Sequence, residues 1–143
     1  MFVLDSRLEQ DTWSLGDFPL CRLLLSKDAN YPWFILVPRR EHISELFQLS
    51  DHEQGVMWQE TTALAKVLKE AFSADKMNVA TLGNVVSQLH MHVIVRYKAD
   101  AAWPGPVWGH RPAGSYAEGR VDAIKNTLKN VLGADFTFVE DES

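Results

Sequence analysis

Two histidines lie one residue apart in the segment Ser87-Gln-Leu-His-Met-His-Val-Ile94, although the chain of 143 residues holds only five histidines. In a β-strand, side chains alternate between the two faces, so Gln88, His90 and His92 share one face. The other face carries Leu89, Met91 and Val93, which are all apolar. The pattern predicts a central strand, with a packed core on one side and imidazoles on the other.

The pair of imidazoles has three interpretations. The rings are polar groups on a solvated strand face, or two ligands of a metal ion, or one of them is a nucleophile that attacks phosphorus or an acyl carbon. A metal site usually needs a third protein ligand, and no Asp or Glu follows the pair before Asp100. Neighbouring imidazoles discourage protonation of each other, which keeps a ring nitrogen available near neutral pH. We therefore favour the nucleophile.

The composition bounds the possible functions. Hydrophobic residues make up 46% and charged residues 23%, and neither repeats nor low-complexity tracts interrupt the chain, so we expect one domain over 1–143. A net charge of −5 argues against a nucleic acid polymer as partner but allows a small anionic ligand. The lone Cys21 cannot form an internal disulfide. Neither a leader nor a membrane span is recognisable, which favours the cytoplasm and no membrane partner.

The elements that must position the histidines are strands and two helices. Apolar runs at Cys21 to Ser26 and Trp33 to Pro38 flank a turn-forming segment and predict a hairpin. Further strands are expected around Thr12 to Leu15, at Met77 to Leu82 and at Ser87 to Arg96.

Helices are predicted where capping residues precede an apolar stripe. Ser50 and Glu53 have capping-box spacing before a helix that extends to Phe72, and a short helical turn at 44–47 leads into it. Ser115 and Glu118 repeat this spacing before a C-terminal helix. The order of strands, helix, strands and helix indicates an α+β fold with an antiparallel sheet.

Three segments together resemble the histidine-triad (HIT) family. The run from Gln88 to Ile94 resembles its signature, H-φ-H-φ-H-φ-φ, with glutamine at the first position. The segment Phe34-Ile-Leu-Val-Pro-Arg-Arg-Glu-His-Ile43 is similar to the family's strand that ends in proline, and Gly83-Asn84 to its glycine-glutamine pair. The resemblance covers roughly Leu20 to Tyr97. It implies a HIT-like domain with a mainly antiparallel sheet, one long helix and a C-terminal helix, with its core at about 20–97 and a C-terminal loop and helix at 98–143.

The resemblance implies roles for individual residues. His90 would attack the α-phosphorus of a nucleotide derivative and form a nucleotidyl-histidine, which water then cleaves. His92 would donate to phosphate oxygens or to the leaving group, and Asn84 would be an amide donor near the phosphates. Gln88 cannot titrate, but its amide would still orient neighbours in the site. Neither a metal nor a cofactor is required.

Other positions depart from the family pattern or have alternative readings. Trp33 stands where many relatives carry histidine, Val85 where they often carry a hydroxyl residue, and Ser26 where Asp or Asn binds the ribose. Arg96 would meet a distal phosphate, although an exposed arginine at a strand end is the commoner case. The loop from Trp103 to Trp108 would cover a base, contact a second subunit or simply pack on the surface.

The resemblance thus implies a nucleotide hydrolase or nucleotidyl transferase that acts on phosphoanhydride or phosphoramidate substrates through His90. The resemblance also implies a homodimer, and surplus apolar residues on the long helix, such as Val56 and Trp58, are consistent with one. The alternatives are a nucleotide-binding protein without turnover and a metal-dependent β-barrel enzyme, and the long helix argues against the latter.

Overall fold

The computed structural model describes residues 1–110 and 112–139. Its elements are α1 (Ser6–Asp11), β1 (Thr12–Asp17), β2 (Cys21–Ser26), β3 (Trp33–Pro38), α2 (Asp51–Ala71), β4 (Lys76–Ala80), β5 (Met91–Arg96), α3 (Arg120–Val131) and β6 (Thr137–Phe138), with a 3-10 turn at Leu46–Gln48 before α2. The strands form one sheet in the order β4-β5-β3-β2-β1-β6, and all neighbouring strands are antiparallel. The predicted α+β fold with an antiparallel sheet is confirmed.

The predicted hairpin forms the centre of the sheet. Cys21 pairs with Pro38 and Leu25 with Phe34, so β2 and β3 have the predicted bounds. On its other side β3 pairs with β5, where Ile35 lies opposite His92. Strand β5 is therefore internal to the sheet, with β4 as its second neighbour.

The two faces of the sheet have different covers. One face contributes Leu23, Leu25, Phe34, Leu36, Met91 and Val93 to the main core, together with Met57, Leu64 and Leu68 of α2 and Ile124 and Leu128 of α3. The opposite face carries His92 and is covered in part by residues before α1 and by the loop after β5. The helices thus bury the apolar face that β5 was predicted to have and leave the imidazole face to loops.

The predicted start of α2 is confirmed, and that of α3 is wrong. The Ser50 hydroxyl accepts a hydrogen bond from the Glu53 N–H, and the Glu53 side chain bonds back to the Ser50 N–H. Helix α3 instead begins at Arg120, after Gly119, which has a φ of 80°. The segment near Ser115 is held elsewhere, because Gly114 exchanges hydrogen bonds with the loop between β2 and β3.

Strand β5 is also shorter at its start than predicted, since Ser87 to His90 do not belong to it. The main-chain N–H of Leu89 donates to the carbonyl of Ile43, and the Thr81 hydroxyl donates to the carbonyl of His90. These bonds hold the approach to β5 outside the regular ladder. No helix in the described residues is long and apolar enough to cross a membrane.

Candidate active site

His90 and His92 lie side by side on the same face of the sheet, as predicted. Their ring centroids are 4.9 Å apart and the ring planes meet at 74°. Each residue is only 6% exposed. The two imidazoles therefore form a compact, largely desolvated pair at the start of β5.

The protonated nitrogen of His90 follows from its hydrogen bond. Nδ1 of His90 lies 2.7 Å from the main-chain carbonyl oxygen of Gln88. A carbonyl oxygen only accepts hydrogen bonds, so Nδ1 must carry the proton. In the neutral ring, Nε2 then has a free lone pair, which is the state that a nucleophile needs.

His92 has the opposite tautomer. The indole Nε1–H of Trp33 donates to Nδ1 of His92 over 2.9 Å. An indole only donates, so Nδ1 of His92 accepts, and the proton of the neutral ring is on Nε2. Burial, together with the nearby His90, lowers the pKa of His92 to about 3. Near neutral pH, His92 is therefore an uncharged hydrogen-bond donor through Nε2.

Aromatic rings enclose this pair. Trp108 packs edge-on against His92, with 4.9 Å between ring centroids, and against Trp33 at 5.7 Å. Trp108 belongs to the loop after β5, whose Val107 is buried against Ile94 and Tyr31. Through Trp108, the loop from Trp103 to Trp108 thus covers one side of His92.

Arg96 differs from both expectations. It is 1% exposed rather than a solvated residue at a strand end. Its guanidinium donates to the Asp100 carboxylate, to Oδ1 of Asn78 and to the carbonyl of Gly105. Burial opposes ionisation of Asp100, but Arg96 and the main-chain N–H groups of Tyr97, Trp103 and Ala102 lower its pKa to about 2. Every guanidinium nitrogen of Arg96 is already used, so it anchors the loop rather than facing a phosphate.

Gln88 contributes to the pair through its main chain. Its side-chain oxygen accepts from the N–H of Asp5, 2.8 Å away, and its amide nitrogen donates to the carbonyl of Val3 over 2.9 Å. The side-chain amide thus pairs with one main-chain N–H and one main-chain carbonyl of the segment before α1. Beside it lies a groove of about 560 Å³, lined by Met1, Phe2, Val3, Asp5, Arg40, Glu41, His42, Ile43, Ser44, Ser87 and Gln88.

The remaining predicted site residues are Ser26 and Asn84. The Ser26 hydroxyl accepts from the N–H of Asp28 at the end of β2, and Asn84 is exposed in the connection before β5. In the described chain, hydrogen bonds link neither residue to His90 or His92. The indole bond of Trp33 was not predicted. Trp33 begins β3, the strand that pairs with β5, and this position was the available signal.

Metal ligation has little support in the side chains present. Within residues 1–110 and 112–139, no three His, Cys, Asp or Glu side chains gather as a group suited to a metal ion. Both Nδ1 atoms of the pair are already hydrogen-bonded.

The comparisons with known proteins give the family. The family model described as HIT domain matches residues 7–99. The chain belongs to the HIT domain family. Members of this family are typically nucleotide-binding hydrolases or transferases.

Solved HIT structures match this domain over most of its length. A histidine triad protein from Marinobacter aquaeolei VT8 is 48% identical, with a TM-score of 0.89, and the match covers 92% of this chain and 96% of that one. A histidine triad protein from Bradyrhizobium japonicum is 42% identical, with the same TM-score of 0.89 and 91% and 97% coverage. One from Sinorhizobium meliloti 1021 has 42% identity, a TM-score of 0.89, and 92% and 98% coverage. No curated protein matches this HIT domain.

Proposed function

We propose that this HIT domain is a nucleotide hydrolase or nucleotidyl transferase that acts at the α-phosphorus with His90 as the nucleophile. The observation that carries the proposal is the hydrogen bond between Nδ1 of His90 and the Gln88 carbonyl, which puts the proton of the neutral ring on Nδ1 and gives Nε2 a free lone pair in that form. In that form Nε2 needs no separate base before it attacks. The family membership supplies the substrate class.

The reaction has two displacements at phosphorus. Nε2 of His90 forms a bond to the α-phosphorus while the bond to the leaving group breaks, and the leaving group departs with the electron pair. Water then attacks the phosphorus of the nucleotidyl-histidine, releases a nucleoside monophosphate and restores His90. In this proposal the Nε2–H of His92, whose ring centroid lies 4.9 Å from that of His90, donates to a phosphate oxygen or to the leaving group.

Gln88 occupies the first position of the signature in this proposal. Its main-chain carbonyl orients His90, and its side chain binds the segment before α1. Asn84 would supply an amide donor to the phosphates and Ser26 a hydroxyl to the ribose. Arg96 has no place in this scheme, and neither a metal nor a cofactor is needed.

The test is to trap the intermediate. The protein is mixed with a dinucleoside polyphosphate or a nucleoside phosphoramidate, quenched, digested and analysed by mass spectrometry. We expect a nucleotide mass on the peptide that contains His90, and its loss in His90→Asn. The exposed His110 supplies the matched control, His110→Asn, which should label like the wild type. Label on another residue, or product formation unaffected by His90→Asn, would refute the assignment.

A nucleotide-binding protein with little or no turnover is the second candidate. The low exposure of both histidines favours it, because a substrate must reach a pair that is 6% exposed at each residue. Calorimetry with a nucleoside monophosphate and turnover assays with the two substrate classes distinguish the candidates. Binding without product above background, unchanged by His90→Asn, would favour the binder.

We also infer a homodimer through the edge of the sheet at β4 and the neighbouring helix α2. Strand β4 ends the sheet, and Val79 on it and Trp58 on α2 are 41% and 47% exposed. Val56, in contrast, packs partly against the core. Light scattering should give twice the chain mass, reduced to one chain mass in Trp58→Glu. Val139→Glu, beyond the opposite edge of the sheet, is the control and should leave the mass unchanged.

A further inference from the structure

Trp33 is the one side chain found to hydrogen-bond the imidazole of His92 in the described residues. Its Nε1 lies 2.9 Å from Nδ1 of His92, and the two rings are 5.6 Å apart between centroids. The indole is itself fixed on two further sides. Tyr31 packs edge-on at 6.2 Å and Trp108 at 5.7 Å.

We infer that Trp33 is a positioning residue that holds the neutral His92 ring as the Nε2–H tautomer, so that Nε2 of this ring is a hydrogen-bond donor. The inference about the tautomer stands on geometry alone. Its consequence for catalysis rests on the function proposed above, in which the Nε2–H of His92 serves the phosphate or the leaving group.

The choice of side chain explains why the tautomer is fixed. A histidine or an amide at position 33 can either donate to or accept from Nδ1, so it permits both tautomers of His92. An indole has one N–H and no acceptor, and it does not titrate. With Trp33 as the donor, Nδ1 of His92 must accept, and protonation of that nitrogen would place two hydrogens between the rings.

Packing makes the arrangement hard to change. Trp33 is the first residue of β3 and pairs with Ile94, two residues after His92 on the adjacent strand. The pairing of β3 with β5 therefore fixes the relative position of the two backbone segments that carry these side chains. The partners Tyr31 and Trp108 restrict rotation of the indole, so little conformational entropy is lost when the hydrogen bond forms.

The test reads the tautomer directly in the ligand-free protein. Long-range ¹⁵N–¹H correlation spectra of ¹⁵N-labelled imidazoles distinguish a protonated from an unprotonated ring nitrogen. In the wild type at pH 7 we expect His92 with Nε2 protonated and Nδ1 unprotonated. In Trp33→Phe we expect the His92 nitrogens to move toward averaged values of two exchanging tautomers. Trp108→Phe keeps the indole donor of Trp33 and should retain the wild-type pattern.

Two outcomes would overturn the inference. The first is a wild-type His92 that carries its proton on Nδ1, a measurement that needs no variant to fold. The second is a folded Trp33→Phe whose His92 resonances match the wild type. Either result leaves the role of His90 untouched, since that role is decided by the trapping experiment.

Turnover adds a functional readout. If the proposed function holds, Trp33→Phe should lower kcat by about 3- to 10-fold, the size expected for one hydrogen bond, with KM nearly unchanged. A purely structural role would instead lower the active fraction of the protein and leave the per-site kcat as it was. Active-site titration by the trapped intermediate separates these two cases.

Discussion

The main-chain carbonyl oxygen of Gln88 accepts a hydrogen bond from Nδ1 of His90, while the Gln88 side chain binds the segment before α1. One residue therefore joins the candidate nucleophile to the chain segment before α1. Because the contact to His90 is made by the backbone, substitution of the side chain does not remove it.

This division of roles predicts that Gln88→Ala affects stability more than chemistry. The variant loses two hydrogen bonds to Asp5 and Val3, so the free energy of unfolding should fall by about 1 to 3 kcal/mol. Nucleotide labelling of His90 should persist within about threefold of the wild type. Urea denaturation and the trapping assay measure the two effects. Complete loss of labelling in a folded Gln88→Ala would show that the amide itself takes part in the reaction.

The buried ion pair predicts a large effect of Arg96→Met. This change leaves the Asp100 carboxylate buried without its cation, which should lower the free energy of unfolding by about 3 to 5 kcal/mol. Arg22→Met is the matched control, because Arg22 pairs with Asp17 near the surface and should cost less than about 1 kcal/mol. Similar losses in the two variants, measured by denaturant titration, would contradict the structural role given to Arg96.

The lowered pKa of His92 predicts a dependence of stability on pH. Its pKa falls from 6.5 to about 3 on folding, because of burial and the neighbouring His90. Between these two values His92 is protonated in the unfolded chain and unprotonated in the folded chain. The free energy of unfolding is therefore independent of this group well above pH 6.5, and it declines as the pH falls from about 6.5 toward 3. The expected slope is about 1.4 kcal/mol per pH unit, or about 2 kcal/mol between pH 7 and pH 5. His92→Asn should show a shallower decline in denaturation experiments, and parallel curves would refute the shift.

The N-cap of α2 predicts a smaller, local effect. Ser50→Ala removes the acceptor of the Glu53 N–H, and the free energy of unfolding should fall by about 1 kcal/mol. Thr62→Ala, at an exposed position of the same helix, should change it by less than about 0.5 kcal/mol. Thermal unfolding followed by circular dichroism measures both. An unstable Thr62→Ala beside an unaffected Ser50→Ala would contradict the capping role.

Local signals predicted the central elements well. The hairpin of β2 and β3 follows from two branched, apolar runs around turn formers, and the start of α2 follows from Ser50 and Glu53. In both cases the residues that specify the element also make its hydrogen bonds. The shared face of His90 and His92 follows from strand alternation, although regular pairing begins only at Met91.

The misjudged positions depend on partners distant in sequence. Helix α1 and strand β6 are short, and β6 is defined by pairing with β1 rather than by its own composition. The burial of Arg96 depends on Asn78, Asp100 and Gly105, which only the folded chain brings together. The same holds for the side chain of Gln88, whose partners Asp5 and Val3 lie more than 80 residues away.

The buried carboxylate of Asp100 accepts hydrogen bonds from N–H groups of Arg96, Tyr97, Ala102 and Trp103. This single side chain therefore stabilises the turn that leads to Trp108. The side of the histidine pair next to this loop is therefore preorganised. Binding of a ligand at the two imidazoles would cost little free energy for ordering the loop. Because Trp108 already contacts His92, with 4.9 Å between ring centroids, a group that lies against His92 on that side must displace the indole.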